Sequence, residues 1–219
     1  MNIDKKCLEK YFENNSKYEI GIDEVGRGPL FGRVYSAAVI LPKDDSFDHY
    51  KMKDSKKFYR KKKIQETAEY IKNNAIAWNI SFENEKKIDE INILQATQQT
   101  IHNNIIEIIK KTNQTDYHLL IDGNYFKPLL LTNNINYTFN CIEGGDNYYS
   151  SIAAASILAK VERDKYIEDL CIEYPDLIDK YKINSNKGYG SKQHLDGIKL
   201  YGISKFHRKT FGICKQYYF

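Results

Sequence analysis

Apolar and polar positions along the chain mark out alternating strands and helices. Residues 18–23 alternate apolar and polar side chains and run into Gly26, Gly28 and Pro29, the pattern of a strand that ends in a loop. Residues 34–41 are β-branched and apolar and close on Pro42, which predicts a second strand beside the first. Asp54 or Ser55 can cap a basic helix that continues to about Asn74, because Ile64, Ala68 and Ile71 recur at helical spacing. Residues 75–82 read as a third strand. Between 85 and 111, Ile88, Ile91, Leu94, Ile101, Ile105 and Ile108 form the apolar stripe of a long helix that belongs on a sheet face. Two short strands follow, at 118–122 and 137–142, and then a helix from 150 to about 174. That helix opens with Ala153, Ala154 and Ala155, small enough for close packing on a sheet. A polar, helix-compatible lead covers residues 1–17, and beyond Pro175 a polar, basic, glycine-containing stretch predicts a smaller helical extension. This order of elements predicts an α/β sandwich with a mixed sheet.

Composition narrows the class without naming a partner. A chain of 219 residues, 42% hydrophobic and 28% charged, suits one compact domain and excludes disorder and low complexity. We expect a single domain over 1–219, with a catalytic core at 1–175 and an extension at 176–219. The 33 Lys and Arg against 29 Asp and Glu leave a net charge of +4, too mild a bias to identify a polyanion-binding protein. The four cysteines show no zinc-site spacing, no apolar run approaches a membrane span, and residues 1–10 are charged rather than a secretory signal. These features predict a soluble, cytoplasmic protein with no membrane association.

Carboxylates at the ends of apolar strands carry the chemistry. Asp23 follows Ile20 and Ile22, Asp122 ends Leu119-Leu120-Ile121, and Asp146 follows Gly144-Gly145 just before the small-residue helix. A buried carboxylate must neutralise, pair or bind a cation. Three such positions suggest a shared hard cation, Mg²⁺ or Mn²⁺, held by oxygen ligands. Turn capping, or pairing with Lys and Arg, is the plainer reading of each acid taken alone. Glu24 shares the site of Asp23 only if the strand ends or bulges between them, although its backbone carbonyl could also serve as a ligand.

The run Gly21-Ile22-Asp23-Glu24-Val25-Gly26-Arg27-Gly28-Pro29-Leu30 closely resembles the opening motif of ribonuclease HII. The resemblance continues in order through Asp54-Ser55-Lys56-Lys57, residues 88–97, Leu120-Ile121-Asp122-Gly123-Asn124 and Gly145-Asp146. It then takes in residues 152–164, Gly188-Tyr189-Gly190 with His194, and His207-Arg208 with Phe211. The arginine within Gly26-Arg27-Gly28 favours HII over its HIII relative.

The resemblance implies a ribonuclease H-like three-layer α/β/α sandwich with a mixed five-stranded sheet and a C-terminal helical extension. It implies an endonuclease that hydrolyses the RNA strand of RNA–DNA hybrids and incises duplex DNA 5′ to embedded ribonucleotides, leaving 3′-hydroxyl and 5′-phosphate ends. Asp23, Glu24, Asp122 and Asp146 would be the metal and catalytic carboxylates, with two divalent ions, Mg²⁺ or Mn²⁺, about 3.5–4 Å apart. Gly26, Arg27 and Gly28 would recognise the ribose 2′-hydroxyl through their backbone, and Tyr189 would pack on the sugar beside the scissile phosphate. Lys56 and Lys57 would contact phosphates, and residues 60–63 either extend that basic face or form a solvated helix surface. Hybrid and ribonucleotide-containing duplexes are the expected partners of a monomer. Two departures from the family pattern, Glu143-Gly144 and Phe31-Gly32-Arg33, bear on the Asp146 loop and on substrate fit near Arg33. We read Asp164 as a structural ion-pair partner of Arg163 or a neighbour. Two rivals stay open: a different nuclease on the same sandwich, which would not need Gly26-Arg27-Gly28 with Tyr189, and a hybrid-binding protein without catalysis, which would have no use for four acids.

Overall fold

The computed structural model describes residues 7–13, 17–131 and 134–217. Five strands, β1 (Tyr18–Val25), β2 (Val34–Ile40), β3 (Ala77–Glu83), β4 (Asp116–Asp122) and β5 (Asn136–Ile142), form one sheet in the order β3-β2-β1-β4-β5. The first three pair antiparallel, whereas β4 runs parallel to β1 and β5 to β4. The mixed sheet expected from the sequence is therefore present.

Side-chain alternation divides the core into layers. Ile20 and Ile22 of β1 pack with Tyr117, Leu119 and Ile121 of β4 against Ile101, Ile105 and Ile108 of the long helix α2 (Glu85–Thr112). On the other face, Ala37 and Val39 of β2 meet α1 (Lys61–Asn74) and the alanines of α3 (Ser150–Glu173). This is the three-layer α/β/α arrangement. Gly21 lets α3 lie directly on β1: a Cβ there would stand 2.2 Å from the Ser151 carbonyl carbon and 2.5 Å from the Ile152 nitrogen.

Three expectations need correction. Asp54 caps only a short 3-10 turn, Ser55–Lys57, its Oδ1 accepting from the Lys56 N–H at 2.8 Å, and α1 begins afresh at Lys61. Helix α2 is broken at Asn92, where φ is 66° and the side chain accepts from the Gln95 N–H like a new N-cap. Residues 7–13 are not helical; Glu9 pairs with Tyr149 as an isolated bridge, while residues 1–6 and 14–16 of the expected lead lie outside the described residues. Asp164 forms the structural ion pair expected of it, with its helix neighbour Lys160.

The C-terminal extension comprises α4 (Asp176–Tyr181), α5 (Ile183–Asn186), α6 (Lys192–Tyr201) and a 3-10 turn, Gly212–Tyr217. It shares a core with Phe31 and with Ile167, Leu170 and Cys171 of α3. Tyr217 packs in this cluster, so the tail lies on its own chain as far as it is described. No helix among the described residues is long and apolar enough to cross a membrane.

Two buried histidines join the extension internally. The Ser204 N–H donates to His207 Nδ1 at 2.9 Å, which leaves the proton of neutral His207 on Nε2. Nε2 of His207 then donates to His194 Nε2 at 3.0 Å, and His194 Nδ1 donates to the Tyr189 carbonyl at 2.8 Å. Burial, then the neighbouring His194, pushes His207 down to about 3. Burial lowers His194 as well. Protons therefore bind the unfolded chain preferentially, so this contribution to stability is intact above pH 6.5 and is lost as the pH falls towards 3. Each pH unit in that window should remove up to about 1.4 kcal/mol, read as a falling urea midpoint. A His207→Phe variant should flatten the profile; an equally steep one would show that other groups dominate.

Candidate active site at the strand ends

The parallel register that pairs Ile22 with Ile121 brings the next residues, Asp23 and Asp122, to adjacent strand ends on the α3 face. The Gly145 N–H donates to Asp122 Oδ1 at 2.7 Å, docking the following turn, Gly145–Asn147, onto the end of β4. Gly144 enters that turn at φ 66°, with open space where a Cβ would project, so the additional glycine of the Asp146 loop is accommodated without strain. Asp146, next in sequence, is buried, with its Oδ1 accepting from Asn147 Nδ2 at 2.8 Å.

Glu24 departs from a simple shared face. The β1–β2 register runs without a bulge through Val25 and Tyr35, so the Glu24 side chain leaves the strand opposite to Asp23. Its main chain stays at the acid site, with the Glu24 N–H 2.6 Å from Asp23 Oδ1. Its carboxylate is held by Arg27 Nη1 at 3.2 Å.

The electrostatics of this cluster are unfavourable as it stands. Burial, then the Glu24 and Asp122 charges, pushes Asp23 well above the usual carboxylate range, against a hydrogen bond from Ser156. Burial also raises Glu24, an effect that Arg27 opposes. Asp146 is pushed up to about 6, first by burial and then by Asp54 and Asp122. Asp54 is thus a fifth acid at the site, buried on the turn whose Ser55 Oγ lies 3.0 Å from Ser156 Oγ. In the sequence, Asp54 reads as a cap and Ser156 as part of a packing helix. The signal was local for both: an acid before Ser-Lys-Lys, and one hydroxyl in an alanine run.

Among the described residues, no three His, Cys, Asp or Glu side chains already form a metal-ligand group. The donor set nonetheless suits a hard divalent cation, because it is carboxylate only and its members repel one another. A cation there would offset the repulsion that now drives Asp23 and Asp146 towards their protonated forms.

The glycine loop follows directly from β1. Gly26 has φ 92°, and a Cβ on it would meet Arg163 Nε at 2.4 Å, so this glycine is required by the fold. Gly28 instead faces the half-exposed Tyr189, whose Cε1 lies 3.6 Å from the missing Cβ. The structure thus brings Gly26-Arg27-Gly28 and Tyr189 together, and the Arg27–Glu24 pair links them to the acids. Arg33 is occupied elsewhere, its guanidinium 4.0 Å from the Phe82 ring centre and 4.4 Å from that of Tyr166.

Lys56 and Lys57 are exposed beside this site, and Lys57 Nζ donates to Asn147 Oδ1. In the following basic run, Lys61 pairs with Glu168 and Lys62 with Glu66, so those two cations are partly neutralised.

Comparison with known proteins shows similarity over nearly the whole chain. The family model for ribonuclease HII matches residues 20–214. The ribonuclease HII of Parabacteroides distasonis is 42% identical over 209 residues, covering 95% of this chain and 96% of that one. Among solved structures, the PCNA:RNase HII complex from Archaeoglobus fulgidus has a TM-score of 0.66 at 22% identity, covering 90% of this chain and 96% of that one. Bst-RNase HIII in complex with Mn²⁺ has a TM-score of 0.66 at 16% identity, covering 92% of this chain and 69% of that one. The last two support the fold alone. Because the family match and the relative of similar length both extend over nearly the full chain, the chain belongs to the ribonuclease HII family, metal-dependent endonucleases that cleave the RNA of RNA–DNA hybrids and incise duplex DNA 5′ to embedded ribonucleotides.

Proposed function

We propose that Asp23, Glu24, Asp122 and Asp146 are the carboxylates that hold two divalent ions, Mg²⁺ or Mn²⁺, at the scissile phosphate. The observation that carries this reading is the burial of Asp23 beside Glu24, Asp122 and Asp146, an arrangement that is costly until a cation offsets it. Bound ions would supply Lewis acidity at the phosphate and a more acidic attacking water. Glu24 contributes through its main chain at the acid site, or through its side chain once Arg27 releases it.

The chain's own residues orient the substrate. The backbone of Gly26, Arg27 and Gly28 binds the ribose 2′-hydroxyl, and the Tyr189 ring packs on the adjoining sugar. Lys56 and Lys57 hold backbone phosphates, so binding should weaken as salt rises. Asp23 and Glu24 lie near the end of β1 and the loop begins at Gly26, directly after the strand, which sets a fixed offset between the sugar that is read and the phosphate that is cut. In-line attack by water then leaves 3′-hydroxyl and 5′-phosphate ends. Recognition rests on the hydroxyl and groove shape, so base sequence has little effect. The protein acts as a cytoplasmic monomer, with 1–175 as catalytic core and 176–219 as the extension that buttresses the reading loop.

The test is a labelled DNA duplex containing one ribonucleotide, incubated with Mg²⁺, Mn²⁺ or EDTA. Incision should require either metal and should spare an all-DNA control. Asp122→Asn should abolish incision while duplex binding persists. Retained cutting in that variant would remove Asp122 from the metal site.

A further inference from the structure

A side chain from the far end of the chain holds the reading loop. Arg208 is fully buried, and its partners within hydrogen-bond distance are carbonyl oxygens. Its Nη2 donates to Gly26 O at 2.6 Å, Nη1 to Arg27 O at 2.9 Å and Pro29 O at 2.8 Å, and Nε to Gly32 O at 2.8 Å. The Arg208 N–H also donates to Leu30 O at 2.8 Å.

Peptide planarity turns this into a statement about the opposite side of the loop. In a trans peptide the N–H points away from the C=O of the same unit. With the Gly26 and Arg27 carbonyls drawn to one guanidinium, the N–H groups of Arg27 and Gly28 are directed away from it. The Pro29–Leu30 unit obeys the same rule: its carbonyl meets Arg208, and the Leu30 N–H reaches the Gly188 carbonyl at 2.9 Å, next to Tyr189. One buried cation therefore aligns two adjacent amide donors and ties their loop to the tyrosine segment. Its neighbour His207 reaches the Tyr189 carbonyl through His194.

We infer that Arg208 is the positioning residue for 2′-hydroxyl recognition: it presents the Arg27 and Gly28 amides as a rigid donor pair towards the sugar. The inference rests on the proposal that this loop reads the hydroxyl. Lysine keeps the charge but cannot hold four carbonyls at once. Asp89 supplies a gentler perturbation, since its carboxylate accepts from the Lys209 and Thr210 N–H groups at 2.8 and 2.9 Å and so anchors the segment that carries Arg208.

The experiment compares kcat/KM on a duplex with one ribonucleotide and on the same duplex with a 2′-fluoro sugar, whose fluorine is a poor acceptor. Wild-type protein should prefer the hydroxyl; equal rates would overturn the loop reading itself before Arg208 is in question. Arg208→Lys should lower that preference at least about tenfold, the signature of a lost hydroxyl contact, whereas a merely less stable enzyme would lose both rates in proportion. Amide resonances of Arg27 and Gly28 should shift with it. Asp89→Ala should reduce the preference partway at an almost unchanged melting temperature, which keeps the question answerable if Arg208→Lys does not fold. A wild-type preference that survives in folded Arg208→Lys, or in Asp89→Ala if only that variant folds, would overturn the inference.

Discussion

Asp146→Asn is expected to abolish incision and, in the same variant, to stabilise the cation-free protein at pH 8. The activity loss follows from removing a ligand charge, and should reach at least about a thousandfold, or roughly 4 kcal/mol of barrier. The stability gain follows from linkage. Asp146 is raised from an ordinary carboxylate value to about 6 in the folded state, by burial and by Asp54 and Asp122, so the folded protein holds its proton more tightly than the unfolded chain. Its favourable contribution is complete below pH 3.8 and is lost as the pH rises through 6. Above that, the ionised group costs about 1–3 kcal/mol. Asparagine removes the charge and can donate to Asp54. Thermal melts in EDTA at pH 8 should therefore rise for Asp146→Asn, and Mn²⁺ should raise the wild-type melt more at pH 8 than at pH 5. A variant that melts lower than wild type in EDTA would mean that the acids are not in mutual conflict without a cation.

Gly21→Ala carries the second large effect, in the opposite direction. The new methyl group would lie 2.2 Å and 2.5 Å from backbone atoms of Ser151 and Ile152, which cannot rotate away as a side chain tip could. Helix α3 would have to lift from β1, at a cost of about 3 kcal/mol. The same movement would shift Ser156 from Asp23 and disturb the packing around Ser55. Urea denaturation should show the lower midpoint, and activity should fall more than stability alone accounts for. A midpoint within error of wild type would contradict the close approach of helix and strand.

Both effects stem from the close approach of α3 to this end of the sheet: Gly21 and Asp23 stand on a strand pressed directly beneath it, with the end of β4 and the Asp146 turn alongside. That proximity supplies the burial that makes the carboxylates costly without a cation. It also makes Gly21 a position where the smallest addition fails.

Much of this was legible in the chain. Alternation at Ile20, Ile22 and Asp23 named β1 and placed an acid at its end, and the helical spacing of Ile101, Ile105 and Ile108 named the face of α2 that covers the sheet. The ordered motifs led to the family, and their glycines marked a loop close to Tyr189. These features are local, since a period of two or of 3.6 residues is written in consecutive positions. The break at Asn92 was masked because one asparagine hardly alters the apolar stripe, yet its side chain caps the helix that resumes beyond it.

What only the tertiary structure decided comes from residues far apart in sequence. Strand alternation opposes Glu24 to Asp23 unless a bulge intervenes, and only the register shows that none does; the nearness of Asp54 to Asp146 does not follow from spacing at all, because turn docking sets it. Arg208 and His207 lie in a polar stretch that resembles a solvent-facing tail, and nothing local says that the guanidinium meets carbonyls of Gly26, Arg27, Pro29 and Gly32. The sequence determined which chemical groups the protein has and the elements that carry them. Folding decided which groups are stripped of water together, and that desolvation sets their charge, their partners and their geometry.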